Sequence, residues 1–155
     1  MSGTLGTCKL AQVGFIVRDL ETTKRAFAEF LGVDVPNTVD GGEYAVSGTT
    51  VYGQPAPKAN CNMAFFTVGD GLQIELIEPN GEHSVWQEFL DQHGEGMHHL
   101  AFQVSDTETK ILSCEAFGLA PIQRGKYGDA SGQYAYFDAR DKLKCFLETL
   151  ESFRS

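Results

Sequence analysis

"QVGFIVRDLETTKRAFAEFLGV" (residues 12–33) is repeated in outline by "HLAFQVSDTETKILSCEAFGL" (residues 99–119). With Gln12 set against His99, four later positions carry the same residue type in both stretches: Phe15 and Phe102, Val17 and Val104, Asp19 and Asp106, Glu21 and Glu108. Each stretch begins with alternating apolar and polar residues, continues as an amphipathic helical pattern and ends at a glycine. The repeat therefore predicts two copies of a strand–helix unit.

Three strand-like runs follow each helical pattern. In the first half they are "EYAVSG" (43–48), "NCNMAFFTV" (60–68) and "LQIELIE" (72–78); in the second they are "APIQRG" (120–125), "QYAYFDA" (133–139) and "LKCFLETLE" (143–151). The segment between the halves, "HSVWQEFLDQHGEG" (83–96), predicts a linking helix over about residues 83–94. We therefore expect an α+β fold in which two βαβββ modules, about 8–80 and 96–151, form one domain over residues 1–155 with a curled sheet and a shared cleft.

Composition narrows the classes of partner and location. The 155 residues include 12 basic and 21 acidic residues, a net charge of -9, which argues against nucleic acid and anionic membranes as partners. Apolar runs are too short to span a bilayer, and the first ten residues lack the pattern of a signal peptide. Four widely spaced cysteines favour free thiols, although their even number leaves disulfides open. We expect a cytoplasmic protein.

Four polar residues occupy equivalent positions in the two halves. Gln12 and His99 begin the first strand of each module, and Glu75 and Glu148 lie within the apolar last strand of each. If the first and last strands are neighbours in each sheet, pseudo-two-fold symmetry brings all four side chains to one centre. An amide oxygen, an imidazole and two carboxylates suit one divalent ion such as Zn, Ni, Co or Mn.

Each of these residues has an ordinary alternative when it is taken singly. A histidine on a strand is usually a core or surface group, and Glu75 and Gln12 would be unremarkable on a solvated edge. The metal prediction depends on all four positions together. Since successive strand residues face opposite sides of a sheet, we also expect His98 to point away from the site that His99 faces.

A glycine-rich segment, "QRGKYGDASGQYAYFD" (123–138), is the candidate substrate loop. Arg124, Lys126 and Tyr127 lie in the loop, and Tyr136 lies in the strand that follows. These residues are predicted to close over the cleft and bind a carboxylate or phosphate, and a solvated mobile hairpin remains the alternative.

The chain resembles the vicinal oxygen chelate superfamily, which includes glyoxalases, methylmalonyl-CoA epimerases, extradiol dioxygenases and bleomycin-resistance proteins. The similarity extends from "AQVGFIVRDLE" to "CFLETLE", and it is nearest to methylmalonyl-CoA epimerases, above all at "HGEGMHHLAF" (93–102). The resemblance implies paired βαβββ modules and metal positions at Gln12, Glu75, His99 and Glu148. Epimerases of this kind usually have His and Gln at the first two positions, whereas the Gln/Glu/His/Glu set found here is similar to that of glyoxalase I.

The resemblance also implies an activity. A metal-dependent enzyme would abstract a proton α to a carbonyl through an enolate, with Glu148 as the first candidate base and Glu75 as the second. Asn62 falls near an additional acid of some epimerases and is counted as substrate-binding. The expected activity is that of an isomerase or epimerase acting on a small carbonyl or thioester metabolite. A glyoxalase I-type lyase and a metal-free sequestering or resistance protein remain alternatives. Small members of the superfamily are often homodimers, which we expect here.

Overall fold

The computed structural model describes residues 3–153 of the chain. Its elements, in chain order, are β1 (Leu10–Ile16), α1 (Leu20–Leu31), β2 (Val39–Asp40), α2 (Tyr44–Ser47), β3 (Thr50–Val51), β4 (Gln54–Pro55), β5 (Cys61–Val68), β6 (Leu72–Pro79), α3 (Val85–His93), β7 (Gly96–Gln103), α4 (Thr107–Phe117), β8 (Pro121–Lys126), β9 (Gly132–Asp138), α5 (Arg140–Leu143) and β10 (Phe146–Ser152). The predicted linking helix is therefore present as α3.

The repeated helices begin and end with the same local chemistry. Asp19 precedes α1 and Asp106 precedes α4, and each carboxylate accepts the backbone N–H of the third helical residue, at 3.1 Å and 3.3 Å respectively. Both helices end at a glycine in the left-handed conformation, Gly32 with φ 70° and Gly118 with φ 98°. Aspartate supplies the acceptor that the first turn lacks, and glycine adopts this backbone conformation without a steric penalty.

The described strands form one curled, mixed sheet in the order β2-β5-β6-β1-β7-β10-β9-β8-β3-β4. The first and last long strands of each module are parallel neighbours, β1 with β6 and β7 with β10. The two modules meet where β1 runs antiparallel to β7. The predicted pairing of βαβββ modules is thus confirmed, with the pseudo-two-fold axis between β1 and β7.

One predicted strand of the first module was wrong. Residues 43–48 contain the short helix α2, which ends at Gly48 with φ 57°. The edge position beside β5 is taken instead by β2, where Val39 lies opposite Met63. The next strand, β3, pairs with β8 of the second module. A six-residue alternation is too short to distinguish a strand from a single helical turn, so the pairing of these segments decides the outcome.

Apolar side chains form three clusters, one on the inner face of the sheet and one beneath each long helix. The inner cluster includes Ile16, Ile77 and Phe146. Beneath the helices, Leu20 of α1 packs with residues of β5 and β6, and Ile111 of α4 packs with residues of β9 and β10. Each helix therefore covers the outer face of its own module, which leaves the inner face to form the cleft. Across residues 3–153, no helix combines the length and apolar character needed to cross a membrane.

Candidate metal centre and cavity

Four buried polar side chains meet at the centre of the sheet. Gln12, Glu75, His99 and Glu148 lie on β1, β6, β7 and β10, which are consecutive strands. Each of the four residues is at most 7% exposed. His99 Nε2 lies 3.0 Å from Glu148 Oε2 and 3.3 Å from Glu75 Oε1. One possible ligand atom from each of these three residues lies within 4.8 Å of the other two.

One polar atom of each residue in this cluster has no hydrogen bond of acceptable geometry to any described residue. Gln12 Oε1, Glu75 Oε1, His99 Nε2 and Glu148 Oε2 are buried and have no hydrogen-bond partner of acceptable geometry within residues 3–153. A buried polar group without a partner costs about 1–3 kcal/mol, so four in one place need an explanation. Three oxygen donors and one nitrogen donor are a set that Zn, Ni, Co or Mn accepts. The residues present therefore fit a divalent ion.

The amide of Gln12 is oriented by a neighbour on the parallel strand. Gln12 Nε2 donates to Gln73 Oε1 at 3.1 Å, and the two residues are register partners in the β1–β6 pair. Because the amide nitrogen is occupied in this way, the amide oxygen is the atom left without a partner. Gln73 thus fixes which end of Gln12 is available as a ligand.

The electrostatics of the cluster favour positive charge. Burial disfavours protonation of His99, but Glu148 and Glu75 more than offset this effect and raise the pKa of His99 to about 9. Burial raises the pKa of Glu148, whereas the charge of His99 acts to lower it. A proton on His99 therefore partly neutralises the two carboxylates, and an ion bound through Nε2 would have to displace that proton.

The ring of His99 occupies space that only a glycine leaves open. Gly14 of β1 is the register partner of His99 in β7. A Cβ atom at position 14 would lie 1.9 Å from His99 Cε1 and 2.3 Å from His99 Nε2. Gly14 is therefore required by the close approach of a side chain, and not by an unusual backbone conformation.

A β-bulge in β7 brings His98 to the same side as His99. Gly14 pairs with His99 but Phe15 pairs with Met97, so His98 is the additional residue on its strand. The expectation that His98 points away was wrong, because alternation of faces fails at a bulge. His98 is 1% exposed, and its Nδ1 lies 3.0 Å from His99 Nδ1. Burial lowers the pKa of His98 well below its usual value, so the ring is neutral.

A cavity of about 530 Å³ opens beside the cluster. Its lining includes three of the four donors and three of the predicted substrate-binding residues: Gln12, Glu75, Glu148, Lys126, Tyr127 and Tyr136. Burial raises the pKa of Tyr127 and of Tyr136, and the nearby carboxylates act in the same direction, so both phenols stay neutral. Lys126 at the end of β8 and Tyr127 of the loop that follows therefore line the cleft.

Two predicted substrate-binding residues lie elsewhere. The Arg124 guanidinium forms an ion pair with Glu108 of α4 and donates to Gln133 Oε1 at 3.2 Å, away from the cavity lining. Asn62 is exposed, whereas the next residue, Met63, lines the cavity. Since neighbouring strand residues alternate between faces, Asn62 points to the opposite side of β5.

A family model for the glyoxalase/bleomycin resistance protein/dioxygenase superfamily matches residues 11–137. The chain belongs to this superfamily. The uncharacterized protein YqjC of Bacillus subtilis (strain 168) is 30% identical over 91 residues, which are 58% of this chain and 64% of that protein. The matched region thus spans just under two thirds of the length of this curated relative.

Solved structures of methylmalonyl-CoA epimerases have a similar fold. Methylmalonyl-CoA epimerase from Mycobacterium tuberculosis superposes with a TM-score of 0.67 at 22% identity, covering 98% of this chain and 93% of that one. A Streptomyces coelicolor methylmalonyl-CoA epimerase variant in complex with 2-nitronate-propionyl-CoA has a TM-score of 0.66 at 19% identity, covering 94% and 97%. At these identities the likeness establishes the fold.

In this member of the superfamily, three residues at the site were not among the predicted site residues: Gln73, Trp86 and Tyr134. Trp86 and Tyr134 line the cavity, and Trp86 Nε1 donates to the Tyr136 hydroxyl at 3.1 Å. Tyr134 and Gln73 could have been predicted from the strand pattern. Each lies two residues from a predicted site residue on the same strand, Tyr136 and Glu75 respectively, and so faces the same side of the sheet. Trp86 comes from the linking helix, and no local pattern predicts that it packs over the second module.

Proposed function

We propose that this protein is a metal-dependent isomerase or epimerase that removes a proton α to the carbonyl of a small carbonyl or thioester metabolite. The proposal rests on four buried side-chain atoms that could bind an ion, that lie beside a cavity and that have no hydrogen bond of acceptable geometry within the part of the chain that the structure describes; two of them are carboxylate oxygens. The methylmalonyl-CoA epimerases with the same fold agree with this class of reaction. When bound, a divalent ion supplies Lewis-acid stabilisation of the charge that develops on a carbonyl oxygen.

Gln12, Glu75, His99 and Glu148 would hold the ion, and the carboxylates would also handle the proton. Glu148 is the first candidate for the base, because its buried carboxylate lines the cavity in which the substrate would lie, and burial raises its pKa. Glu75 is the second candidate. It lies on β6, on the other flank of the central β1–β7 pair from Glu148. Two carboxylates from opposite flanks give the site one acceptor and one donor for proton return.

The remaining cavity residues would bind and orient the substrate. Trp86, Tyr134 and Tyr136 form aromatic walls that exclude water from the reacting carbon. Lys126 is the exposed cation of the lining and Tyr127 is the adjacent half-buried phenol, so these two residues suit an anionic group at the far end of the substrate. A substrate with one acidic or phosphate group and an internal carbonyl fits this distribution of charge.

Metal content is the first test of the proposal. The purified protein is analysed for Zn, Ni, Co and Mn, stripped with a chelator and reloaded with each ion. We expect close to one ion per chain for the wild type and a loss of bound ion in Glu75→Gln and Glu148→Gln. Glu78→Gln is the matched control, because Glu78 lies on the same strand as Glu75 but outside the donor cluster. Full activity after exhaustive chelation would contradict metal dependence, whereas a protein that neither binds these ions nor turns over any substrate would be a metal-free binding protein.

Proton abstraction is tested with solvent deuterium. The reloaded protein is incubated in D₂O with a panel of acyl-CoA thioesters and small 2-oxo acids, and deuterium at the α-carbon is followed by NMR. We expect incorporation with the wild type and with Glu78→Gln. Glu148→Gln is measured at an ion concentration that loads its site, and a fall of about 10²–10⁴-fold is then expected if Glu148 is the base. An equal rate in Glu148→Gln with its metal retained would transfer the role to Glu75.

The donor set itself supports a second candidate. The order Gln12, Glu75, His99, Glu148 is the Gln/Glu/His/Glu pattern on which the similarity to glyoxalase I rests. A lyase of that type also needs proton transfer next to a carbonyl, so the same cluster would serve it. Turnover of the methylglyoxal–glutathione hemithioacetal by the reloaded protein would identify the lyase, and its absence together with deuterium exchange in a thioester would exclude it.

A further inference from the structure

Two buried imidazoles lie side by side at the centre of the sheet. The bulge in β7 brings His98 next to His99, with 3.0 Å between the two Nδ1 atoms and 5.2 Å between the ring centroids. His98 and His99 are 1% and 0% exposed, so both rings are buried. Two nitrogens at this distance form a hydrogen bond only if one carries the proton and the other accepts it.

The surroundings of His99 decide which nitrogen donates. His99 Nε2 faces Glu75 and Glu148, and this is the atom whose lone pair an ion would use. An imidazole that binds an ion through Nε2 keeps its proton on Nδ1, and that N–H needs an acceptor to hold the ring in place. The acceptor at hydrogen-bond distance is His98 Nδ1.

We propose that His98 is a positioning residue that accepts the Nδ1–H of His99 and so fixes the tautomer and the ring orientation in which His99 Nε2 faces the ion. This inference rests on the metal site of the proposed function. It assigns His98 the tautomer with its own proton on Nε2. A neutral imidazole takes the place that a carboxylate or a backbone carbonyl usually has behind a metal-binding histidine.

The packing around His98 holds its ring in this orientation. The ring stacks on Phe146, with centroids 4.6 Å apart, and meets the edges or faces of Phe89 at 4.9 Å and Tyr136 at 5.6 Å. Its Nε2 has no hydrogen-bond partner within the described part of the chain. A phenylalanine would fill this aromatic pocket without burying an unpartnered nitrogen, so the imidazole is costly here for packing alone. The hydrogen bond that His98 Nδ1 accepts from His99 gives a reason for a histidine at this position.

The positioning role of His98 is tested by measuring the affinity for Zn²⁺, without substrate, of two variants that alter different properties of the side chain. His98→Phe keeps the ring and removes the acceptor, whereas His98→Asn loses the ring but offers an amide oxygen near the position of Nδ1. The apparent dissociation constant is measured by competition with a chromogenic chelator. We expect His98→Phe to bind Zn²⁺ about 10–100-fold more weakly and His98→Asn to remain within roughly threefold of the wild type.

A role in packing alone predicts the reverse order, because Phe preserves the aromatic contacts and Asn opens a hole. Weaker binding by His98→Asn than by His98→Phe would therefore overturn the inference. Equal binding by the wild type and both variants would overturn it as well. If the wild type binds no Zn²⁺, both the proposed function and this inference fail. If the wild type binds Zn²⁺ but the variants do not show the expected order, only this inference fails.

The tautomers give a second readout that needs no variant and so does not depend on the folding of His98→Phe. Long-range ¹H–¹⁵N NMR spectra of the Zn²⁺-loaded wild type should show His98 with a protonated Nε2 and a bare Nδ1, and His99 with a protonated Nδ1. A His98 ring protonated on Nδ1, or a His99 ring bare at Nδ1, would overturn the inference.

Discussion

The substitution Gly14→Ala tests whether the contact between β1 and the His99 ring holds the donor cluster together. A Cβ at position 14 would lie 1.9 Å from His99 Cε1, whereas ordinary contacts begin at 3.4 Å, so the ring must move by about 1.5 Å. The ring cannot move freely, since Glu75, Glu148 and Tyr136 pack around its other sides. Overpacking of this kind costs about 1–3 kcal/mol of unfolding free energy.

The same displacement should abolish metal binding. His99 Nε2 would lie 2.3 Å from the added Cβ, so relief of that contact to 3.4 Å moves Nε2 by about 1.1 Å. This is several times the tolerance of a metal–ligand distance, which is about 0.2 Å. We therefore expect the affinity of Gly14→Ala for Zn²⁺ to fall by more than about 100-fold, beyond the effect of changing an outer partner of a ligand. Gly3→Ala is the control, because a Cβ at position 3 meets nothing within 4 Å.

A double-mutant cycle separates the clash from other effects of the added methyl group. Urea unfolding is measured for Gly14→Ala, His99→Ala and the variant that carries both substitutions. Because the ring is absent from the double variant, the alanine at position 14 should cost it little, within about 0.5 kcal/mol of His99→Ala alone. Additive costs, or wild-type stability and Zn²⁺ affinity in Gly14→Ala, would refute the reasoning.

Three further outcomes follow from contacts in the structure. Burial opposes ionisation of Glu151, but its hydrogen bonds with Thr107, Gln133 and the first amides of α4 outweigh burial and lower its pKa. Ionised Glu151 therefore stabilises the fold by about 1 kcal/mol above the unfolded pKa of about 4.3. This stabilisation is lost as pH falls through the lower folded pKa. The unfolding free energies of the wild type and Glu151→Gln, measured in urea, should therefore differ at about pH 7 and converge in acid. Trp86→Phe removes the hydrogen bond to the Tyr136 hydroxyl and should cost about 1–3 kcal/mol in the same assay, whereas no loss would contradict that bond. Zn²⁺ at 100 times its dissociation constant should raise the unfolding free energy by about 2.7 kcal/mol, an increase that a chelator reverses.

The sequence was sufficient to predict that Gln12, Glu75, His99 and Glu148 converge, because the relevant information is local. The alternation of apolar and polar residues predicts which side of the sheet Gln12, Glu75 and Glu148 face. The repeat shows that their strands occupy equivalent positions in the two modules. The aspartate caps and glycine ends of α1 and α4 likewise depend on the first and last turns of each helix alone. Such features are determined by residues a few positions apart, so one sequence is enough to read them.

The residues around the cavity mouth could not be predicted from the sequence, because their positions depend on contacts between distant segments. Arg124 has the charge and the loop position expected of a substrate-binding residue, but the proximity of Glu108 on α4 gives it another partner. The segment of α2 and β3 crosses to pair with β8, a choice that the alternation in residues 43–48 does not encode. Asn62 was assigned by resemblance, and the phase of β5 turns it outward.

By itself, the sequence determined the duplicated modules and the convergence of Gln12, Glu75, His99 and Glu148, because both follow from periodicity within one segment or from comparison of the two halves. Only the tertiary structure decided that the His98 ring lies against the His99 ring, and that the missing side chain of Gly14 leaves space for the His99 ring. A bulge exists only in the pairing of two strands, where one strand has a residue more than its partner. The spacing along β7 alone carries no trace of it, and the pairing with β1 creates it.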